Sequence, residues 1–194
     1  MAMALNIIKD EHRSIAAVLH GMQELVRRIR ERGERIDPRV FRAMLYYLDT
    51  FTERMHHPKE DRYLFEPLRR LGAGPDALIA ELEREHAQGD AALRRVEQCL
   101  IRYEEGGARE FPEFASEVDR FVAGYWEHMR KEEEHVFPLA AQLFTPSEWD
   151  AVDRAFKANA DPLAGDRSER DFRRLFSRIV SLAPPPIGVG PASS

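Results

Sequence analysis

The sequence predicts an all-α protein: an up-down-up-down four-helix bundle over residues 1–144, with two additional C-terminal helices. Three observations support this prediction. Four long segments carry apolar residues at helical spacing, short loops containing glycine and proline separate them, and no segment has the pattern of a β-strand. Long helices joined by short loops favour antiparallel neighbours, which is the arrangement of an up-down-up-down bundle.

Breakers and caps set the limits of the four bundle helices. Gly33 ends the first helix, and Asp37-Pro38 supplies an N-cap followed by a proline at the first helical position of the second. The run Leu-Gly-Ala-Gly-Pro at 71–75 separates the second helix from the third, and Gly106-Gly107 ends the third. The predicted helices therefore lie at about 6–32, 38–70, 75–104 and 111–144.

Residues 145–182 are predicted to form a C-terminal helical extension packed on the bundle. Thr145 and Glu148 form a capping box with a proline between them, which predicts a fifth helix over about 146–158. A sixth helix over about 168–182 has one apolar stripe. The Pro/Gly-rich tail, residues 183–194, is expected to be extended. These appended parts could cover one end of the bundle or serve a partner, including a second copy in a homodimer.

Composition limits the classes of function. The chain has 194 residues and a formal net charge of −5, which argues against nucleic acid or an anionic membrane as the main partner. No apolar run reaches the ~18 residues of a membrane span, and the first residues do not resemble a signal peptide. Cys99 has no second cysteine to pair with, which fits a reducing compartment. A cytoplasmic location is therefore expected.

Four histidines lie on the four predicted bundle helices: His12, His56, His86 and His128. At a rise of 1.5 Å per residue, the first two both lie about 30 Å from the turn between their helices. The third and fourth lie about 26–30 Å from the turn that joins theirs. The four histidines are thus predicted to occupy one layer of the bundle.

A glutamate follows two of these histidines by one helical turn, Glu60 after His56 and Glu132 after His128. Each glutamate therefore shares a helix face with its histidine. Imidazoles and carboxylates that converge in a helical core are the ligands of a non-haem di-iron site. Glutamates on two different helices can bridge two metal ions while histidines supply terminal ligands, which leaves an open position for a small molecule.

The chain resembles the hemerythrin-like family, in its branch of bacterial cation-binding domains with His-His-Glu motifs. The resemblance covers about residues 5–144. It rests on four motifs with the sequences Glu-His-Arg at 11–13, His-His-Pro-Lys-Glu at 56–60, Glu-His at 85–86, and His-Met-Arg-Lys-Glu-Glu at 128–133, the last followed by Val-Phe-Pro at 136–138. The family implies two iron ions with carboxylate and oxo or hydroxo bridges, in a four-helix bundle.

The chain departs from the oxygen-carrying members of that family. Asp90 stands where they have a second histidine on the third helix, and Gly89 beside it also faces inward, which disfavours reversible oxygen carriage. His57 could replace the missing imidazole. Those members place the fourth-helix carboxylate five residues after its histidine, which makes Glu133 the alternative to Glu132. His135 is a weaker candidate still.

The predicted metal ligands are therefore His12, His56, His57, Glu60, His86, His128 and Glu132. The predicted function is a non-haem di-iron protein that binds or senses oxygen or a related small oxidant, or that handles iron; manganese or zinc also suits these ligands. The alternative is a di-iron oxidase or peroxidase acting on oxygen, peroxide or nitric oxide. A metal-free helical interaction module is disfavoured by the shared layer. No Ser-His-Asp pattern, phosphate-binding loop or paired-cysteine zinc pattern indicates another activity.

Overall fold

A computed structural model describes residues 3–72, 76–158, 179, 181–183 and 187. These residues are almost entirely helical, and no strand occurs among them. The α-helices are α1 (Met3–Arg32), α2 (Pro38–Tyr47), α3 (His57–Glu60), α4 (Glu66–Leu71), α5 (Asp76–Gly106), α6 (Phe111–Lys131), α7 (Phe137–Leu143) and α8 (Pro146–Lys157). The prediction of an all-α protein is confirmed.

The predicted caps act as expected at the helix ends. The Asp37 side chain accepts a hydrogen bond from the backbone N–H of Arg39, 2.9 Å away, at the start of α2. Thr145 and Glu148 form the predicted capping box at the start of α8. Gly33 and Gly72 adopt left-handed conformations after α1 and α4, with φ of 64° and 60°. Most of the predicted sixth helix and of the tail lies outside the described residues.

Three π-helical segments widen the second and fourth long helical stretches: Leu48–His56, Asp61–Phe65 and Glu132–Val136. Each segment ends two residues before a proline, namely Pro58, Pro67 and Pro138. Proline has no amide proton to donate, and its ring collides with the carbonyl four residues earlier. The preceding turn therefore opens, and the wider turn changes which side chains face inward.

A buried polar layer separates two apolar clusters. On α1, Ile8 belongs to one cluster and Ile15 to the other, and His12 lies between them. On α5, His86 lies between Leu82 and Leu93 in the same way. Packing contacts join α1 to α6 and α2, and join α5 to α6 and α2. The polar residues are thus held from all sides by a packed core.

Three smaller observations complete the fold. Helix α8 packs against α1 and against the Asp61–Phe65 segment, so it covers the bundle next to the polar layer. Cys99 is buried. None of the helices in the described ranges combines the length and the apolar character that a membrane span requires.

Candidate metal centre

The structure brings all seven predicted metal ligands into the buried polar layer. His86, the most exposed of them, is 8% exposed, and both glutamates are fully buried. The adjacent residues His56 and His57 both face the interior, although neighbours in a regular α-helix point about 100° apart. The π-helical segment that ends at His56 explains this, because it changes the rotation of the chain at that point.

The ligand atoms form two groups, within each of which they lie no more than 4.8 Å apart. The first group consists of His57, Glu60, His86 and His128, and the second of His12, His56 and Glu60. Glu60 belongs to both groups. Three histidines thus meet at one position and two at the other.

The two buried glutamates each face both groups. Glu60 places Oε1 3.6 Å from Nε2 of His12, and its Oε2 lies 3.3 Å from Nε2 of His56 and 3.8 Å from Nε2 of His86. Glu132 places Oε2 3.5 Å from Nε2 of His12, and its Oε1 3.3 Å from Nε2 of His128. Both carboxylates therefore reach both groups, as bridging carboxylates must; Glu132 directs one oxygen to each group, and Glu60 lies closer to His12 and His56.

A carboxylate lies against the outer nitrogen, Nδ1, of every one of the five histidines. The pairs are His12–Glu133 at 2.9 Å, His56–Glu11 at 2.8 Å, His57–Glu53 at 3.3 Å, His86–Asp61 at 2.7 Å and His128–Glu85 at 2.8 Å. An ionised carboxylate only accepts hydrogen bonds, so Nδ1 donates and the lone pair of the neutral ring lies on Nε2. Such partners fix the orientation of metal-binding imidazoles and raise their basicity.

The inward-facing atoms suit a cation. Within the described part of the chain, both carboxylate oxygens of Glu60 and of Glu132, and Nε2 of His12, are buried without a hydrogen-bond partner. Buried polar atoms without partners are costly. The Nε2 atoms of His86 and His128 also lie 2.9 Å apart, where two lone pairs repel each other unless a proton or a cation lies between or beside them. Imidazole and carboxylate together suit iron, manganese or zinc.

Protons compete with a cation for two of the histidines. Burial alone would lower the pKa of His12, but the hydrogen bond to Glu133 and the nearby charges of Glu60 and Glu132 outweigh burial and raise this pKa to about 10. Burial likewise opposes protonation of His128, but the charge of Glu132 and the hydrogen bond to Glu85 reverse that effect and raise the pKa of His128 to about 10. Burial and the nearby charge of Glu132 raise the pKa of Glu60 to about 7.

The other two histidines with shifted values favour the neutral form. Burial lowers the pKa of His56 below its ordinary value, despite the hydrogen bond to Glu11. Burial and the positive charges of His86 and His128 lower the pKa of His57 much further. Neutral imidazoles are the form that binds metal, so these two side chains are ready to coordinate.

The weaker candidates lie away from the inner cluster. Glu133 is turned outward and its carboxylate contacts the back of the His12 ring, so it is not placed as a replacement for Glu132. Asp90 and His135 are exposed. Sequence reasoning missed Asp61 and Glu53 as partners of Nδ1 atoms, although both lie within one turn of a candidate ligand.

A pocket of about 220 Å³ between α5 and α6 reaches the three-histidine group and is lined by His57, His86 and His128. Glu53 and Tyr125 also line it, and the tyrosine hydroxyl donates a hydrogen bond to the glutamate. Burial raises the pKa of Glu53 to about 7. The centre is therefore accessible to small molecules from this side.

Comparison with protein families identifies the class. Residues 3–140 match the hemerythrin HHE cation-binding domain, and the chain belongs to this family. The comparison with curated proteins found no match, and neither did the comparison with solved structures. Family membership and the two His/Glu groups agree that the chain has the residues of a cation-binding domain.

Proposed function

We propose that the protein holds two iron ions in the buried polar layer and uses them to bind or sense oxygen or a related small oxidant. One observation carries this proposal: the inner nitrogens of the histidines and the oxygens of Glu60 and Glu132 converge in two groups that share a carboxylate. Two iron ions would supply a coordination position and the electrons for binding an oxidant. We also propose that the four long helical stretches form the up-down-up-down bundle predicted from the sequence.

The histidines, the inner carboxylates and the outer carboxylates of the layer have different roles in the proposed centre. His12 and His56 serve one ion, and His57, His86 and His128 serve the other, while Glu60 and Glu132 connect the two. The outer carboxylates hold the imidazole rings in place and keep the lone pairs turned inward. The inner and outer carboxylates together give the layer a strongly negative potential, which favours bound cations of high charge.

A second function, an oxidase or peroxidase acting at the same centre, is favoured by the pocket beside the three-histidine group. Its volume of about 220 Å³ is several times the ~30 Å³ that one water occupies in the liquid. A protein that only bound oxygen would not need this room. The pocket thus supports a second molecule near the centre.

Metal analysis combined with optical spectra tests the proposal. Protein prepared with iron and without air should contain about two iron ions per chain. A stable charge-transfer band that appears with oxygen and disappears on its removal supports binding or sensing, whereas a transient band with consumption of a reductant supports the enzyme. If the full-length protein takes up no iron, manganese or zinc, the proposed centre does not exist.

A further inference from the structure

Two glycines in the interiors of long helices face the same pocket from opposite walls. Gly89 lies in α5 and Gly124 in α6, and both line the pocket beside the three-histidine group. Glycine in a helix interior destabilises the helix relative to alanine. Neither glycine has a positive φ, so the backbone conformation does not require glycine here. The reason for glycine at these positions must therefore be the space that a side chain would occupy.

The space differs at the two glycines. A Cβ atom at Gly89 would collide with the carboxylate of Glu53, so this glycine lets that carboxylate lie at the bottom of the pocket. A Cβ atom at Gly124 would meet nothing within 4 Å. Any larger side chain there would extend into open space next to Tyr125. Gly89 thus makes room for a polar group, and Gly124 keeps the pocket open.

The pocket has an apolar body, a polar end and a charged region. Ala92, Phe121 and the ring of Tyr125 form its apolar walls. The charged region contains Arg95 and Arg120, and both arginines form ion pairs with Glu117. At the polar end, the Tyr125 hydroxyl donates to Glu53, and the Glu53 carboxylate also accepts from His57 Nδ1 at 3.3 Å. Carboxylate oxygens can accept further hydrogen bonds, and the tyrosine oxygen can accept one. A ligand hydroxyl could therefore donate a hydrogen bond there, whereas a ligand carboxylate, which has no proton to donate, would face the Glu53 carboxylate.

We propose that this pocket binds a small, neutral aromatic molecule with one hydroxyl group, that is, a phenol. Size supports this class, because a cavity of about 150 Å³ with apolar walls is enough to bind benzene, and this pocket measures about 220 Å³. The ring would lie between Phe121 and Ala92, and the hydroxyl would reach Glu53 and Tyr125. Binding itself requires no metal. Only the consequence, that a bound phenol lies against the three-histidine ion, rests on the proposed function.

The test is a titration of 4-fluorophenol observed by ¹⁹F NMR, with 4-fluorobenzoate and fluorobenzene as matched probes. It uses full-length protein in two forms, loaded with diamagnetic zinc and treated with a chelator. We expect 4-fluorophenol to bind both forms and to bind at least about tenfold more tightly than 4-fluorobenzoate. Metal analysis of the same samples reports separately on the proposed centre, so a failure of one proposal does not look like a failure of the other.

Two variants locate the bound probe. Gly124→Leu fills the pocket and should weaken 4-fluorophenol binding at least about tenfold, while Ala123→Leu, at an exposed neighbour outside the pocket, should leave it unchanged. Tyr125→Phe should weaken 4-fluorophenol and leave fluorobenzene unchanged. Helical circular dichroism and a melting curve show that each variant is folded, and Gly124→Ala provides a smaller obstruction if the leucine variant is not. Absence of 4-fluorophenol binding to the wild type, equal binding in a folded Gly124→Leu variant, or preference for the benzoate would each overturn the proposal.

Discussion

The metal centre consists of two halves that match residue for residue. One half comes from α1 and the stretch 38–71, and the other from α5 and the stretch 111–143. The matching pairs are His12 with His86, His56 with His128, Glu60 with Glu132, Glu11 with Glu85, and Asp61 with Glu133. In each half, the glutamate just before one histidine binds the histidine of the neighbouring helix: Glu11 binds His56, and Glu85 binds His128.

The halves differ where the first has His57. The matching position, one residue after His128, is Met129, which packs into the apolar core. Tyr125 likewise matches Glu53, three residues before the histidine in each half. The extra histidine joins the group of His86 and His128, so the two groups of candidate ligands are not equivalent. A nearly symmetric arrangement of side chains thus becomes asymmetric because a few matching positions carry different residues in the two halves.

The pocket lies on the asymmetric side for the same reason. Gly89, three residues after His86, matches Ile15, three residues after His12, and Ile15 is fully packed in the core. Gly124 matches Thr52, which is also fully buried. Side chains thus fill the space near the group of His12 and His56 and leave it open near the three-histidine group. We infer that small molecules reach the three-histidine position.

The largest effect is expected from a substitution at Glu132, whose carboxylate faces both groups of histidines. Glu132→Gln should reduce the metal content from about two ions per chain to less than about one, because this carboxylate faces both groups. Glu134, two residues further along, provides the matched control, since it is exposed and its carboxylate contacts Arg130. Glu134→Gln should therefore keep both ions. Metal analysis after removal of loosely bound ions measures the difference, and full metal content in Glu132→Gln would contradict the bridging role.

The second prediction concerns a substitution that removes the difference between the two halves at His57. His57→Met gives the first half the residue that the second half has at Met129, and it should release one ion while the other stays bound. The reason is that His57 belongs only to the group of His86 and His128. His135→Met, at an exposed position, is the control. Titration with zinc should show one tight site in His57→Met and two in the wild type; two tight sites in the variant would mean that His57 is not a ligand.

Much of this arrangement can be predicted from the sequence. Caps, breakers and apolar spacing predict the helices, and the shared depth of His12, His56, His86 and His128 predicts the polar layer. The π-helical segments are harder to predict, because a proline such as Pro58 can kink a helix or widen it. Sequence alone therefore left the position of His57 open, and rotation in a regular helix argues against both neighbours facing inward.

The outer carboxylates could not be assigned from the sequence. Glu11 stands next to His12 in the chain, yet it contacts His56 on another helix. Which acidic residue meets which imidazole depends on how the helices are rotated and spaced, and that is a property of the packed core. The pocket could not be predicted either, although Gly89 was expected to face inward and leave space.

The third prediction concerns protons that a metal ion must displace. His12 and His128, one from each group, have a pKa raised to about 10 in the metal-free protein, so both are protonated at neutral pH. Metal binds the deprotonated rings, so affinity should rise with pH. With one proton released at each site, the affinity of each site rises by up to about tenfold per pH unit between about pH 7 and 9. Competition with a zinc chelator at several pH values measures it, and a flat profile would show that neither histidine is a ligand.

The fourth prediction compares matching residues of the outer shell. Glu11→Gln and Glu85→Gln should each weaken metal binding by about ten- to a hundredfold, as loss of such partners does in other metal sites. The Glu11 side chain is 3% exposed and that of Glu85 is 35% exposed, so the Glu11 variant should lose more. Glu134→Gln, at an exposed position on the fourth stretch, is the control. Zinc competition gives the affinities; wild-type affinity in Glu11→Gln would show that this contact does not support His56.

The smallest expected effect is a difference in stability between alanine substitutions at the two glycines that line the pocket. Gly124→Ala should raise the free energy of unfolding by about 0.5–1 kcal/mol, because alanine favours the helix and its Cβ meets nothing within 4 Å. For a chain of this size, that corresponds to a rise in Tm of about 1–4 °C. Gly89→Ala gains the same helix propensity but forces the Glu53 carboxylate to move, so it should be less stable than the wild type. Melting curves of the zinc-loaded proteins decide between these outcomes. Equal stabilisation by both substitutions would show that Glu53 moves freely, and the polar end of the pocket would then have no fixed geometry.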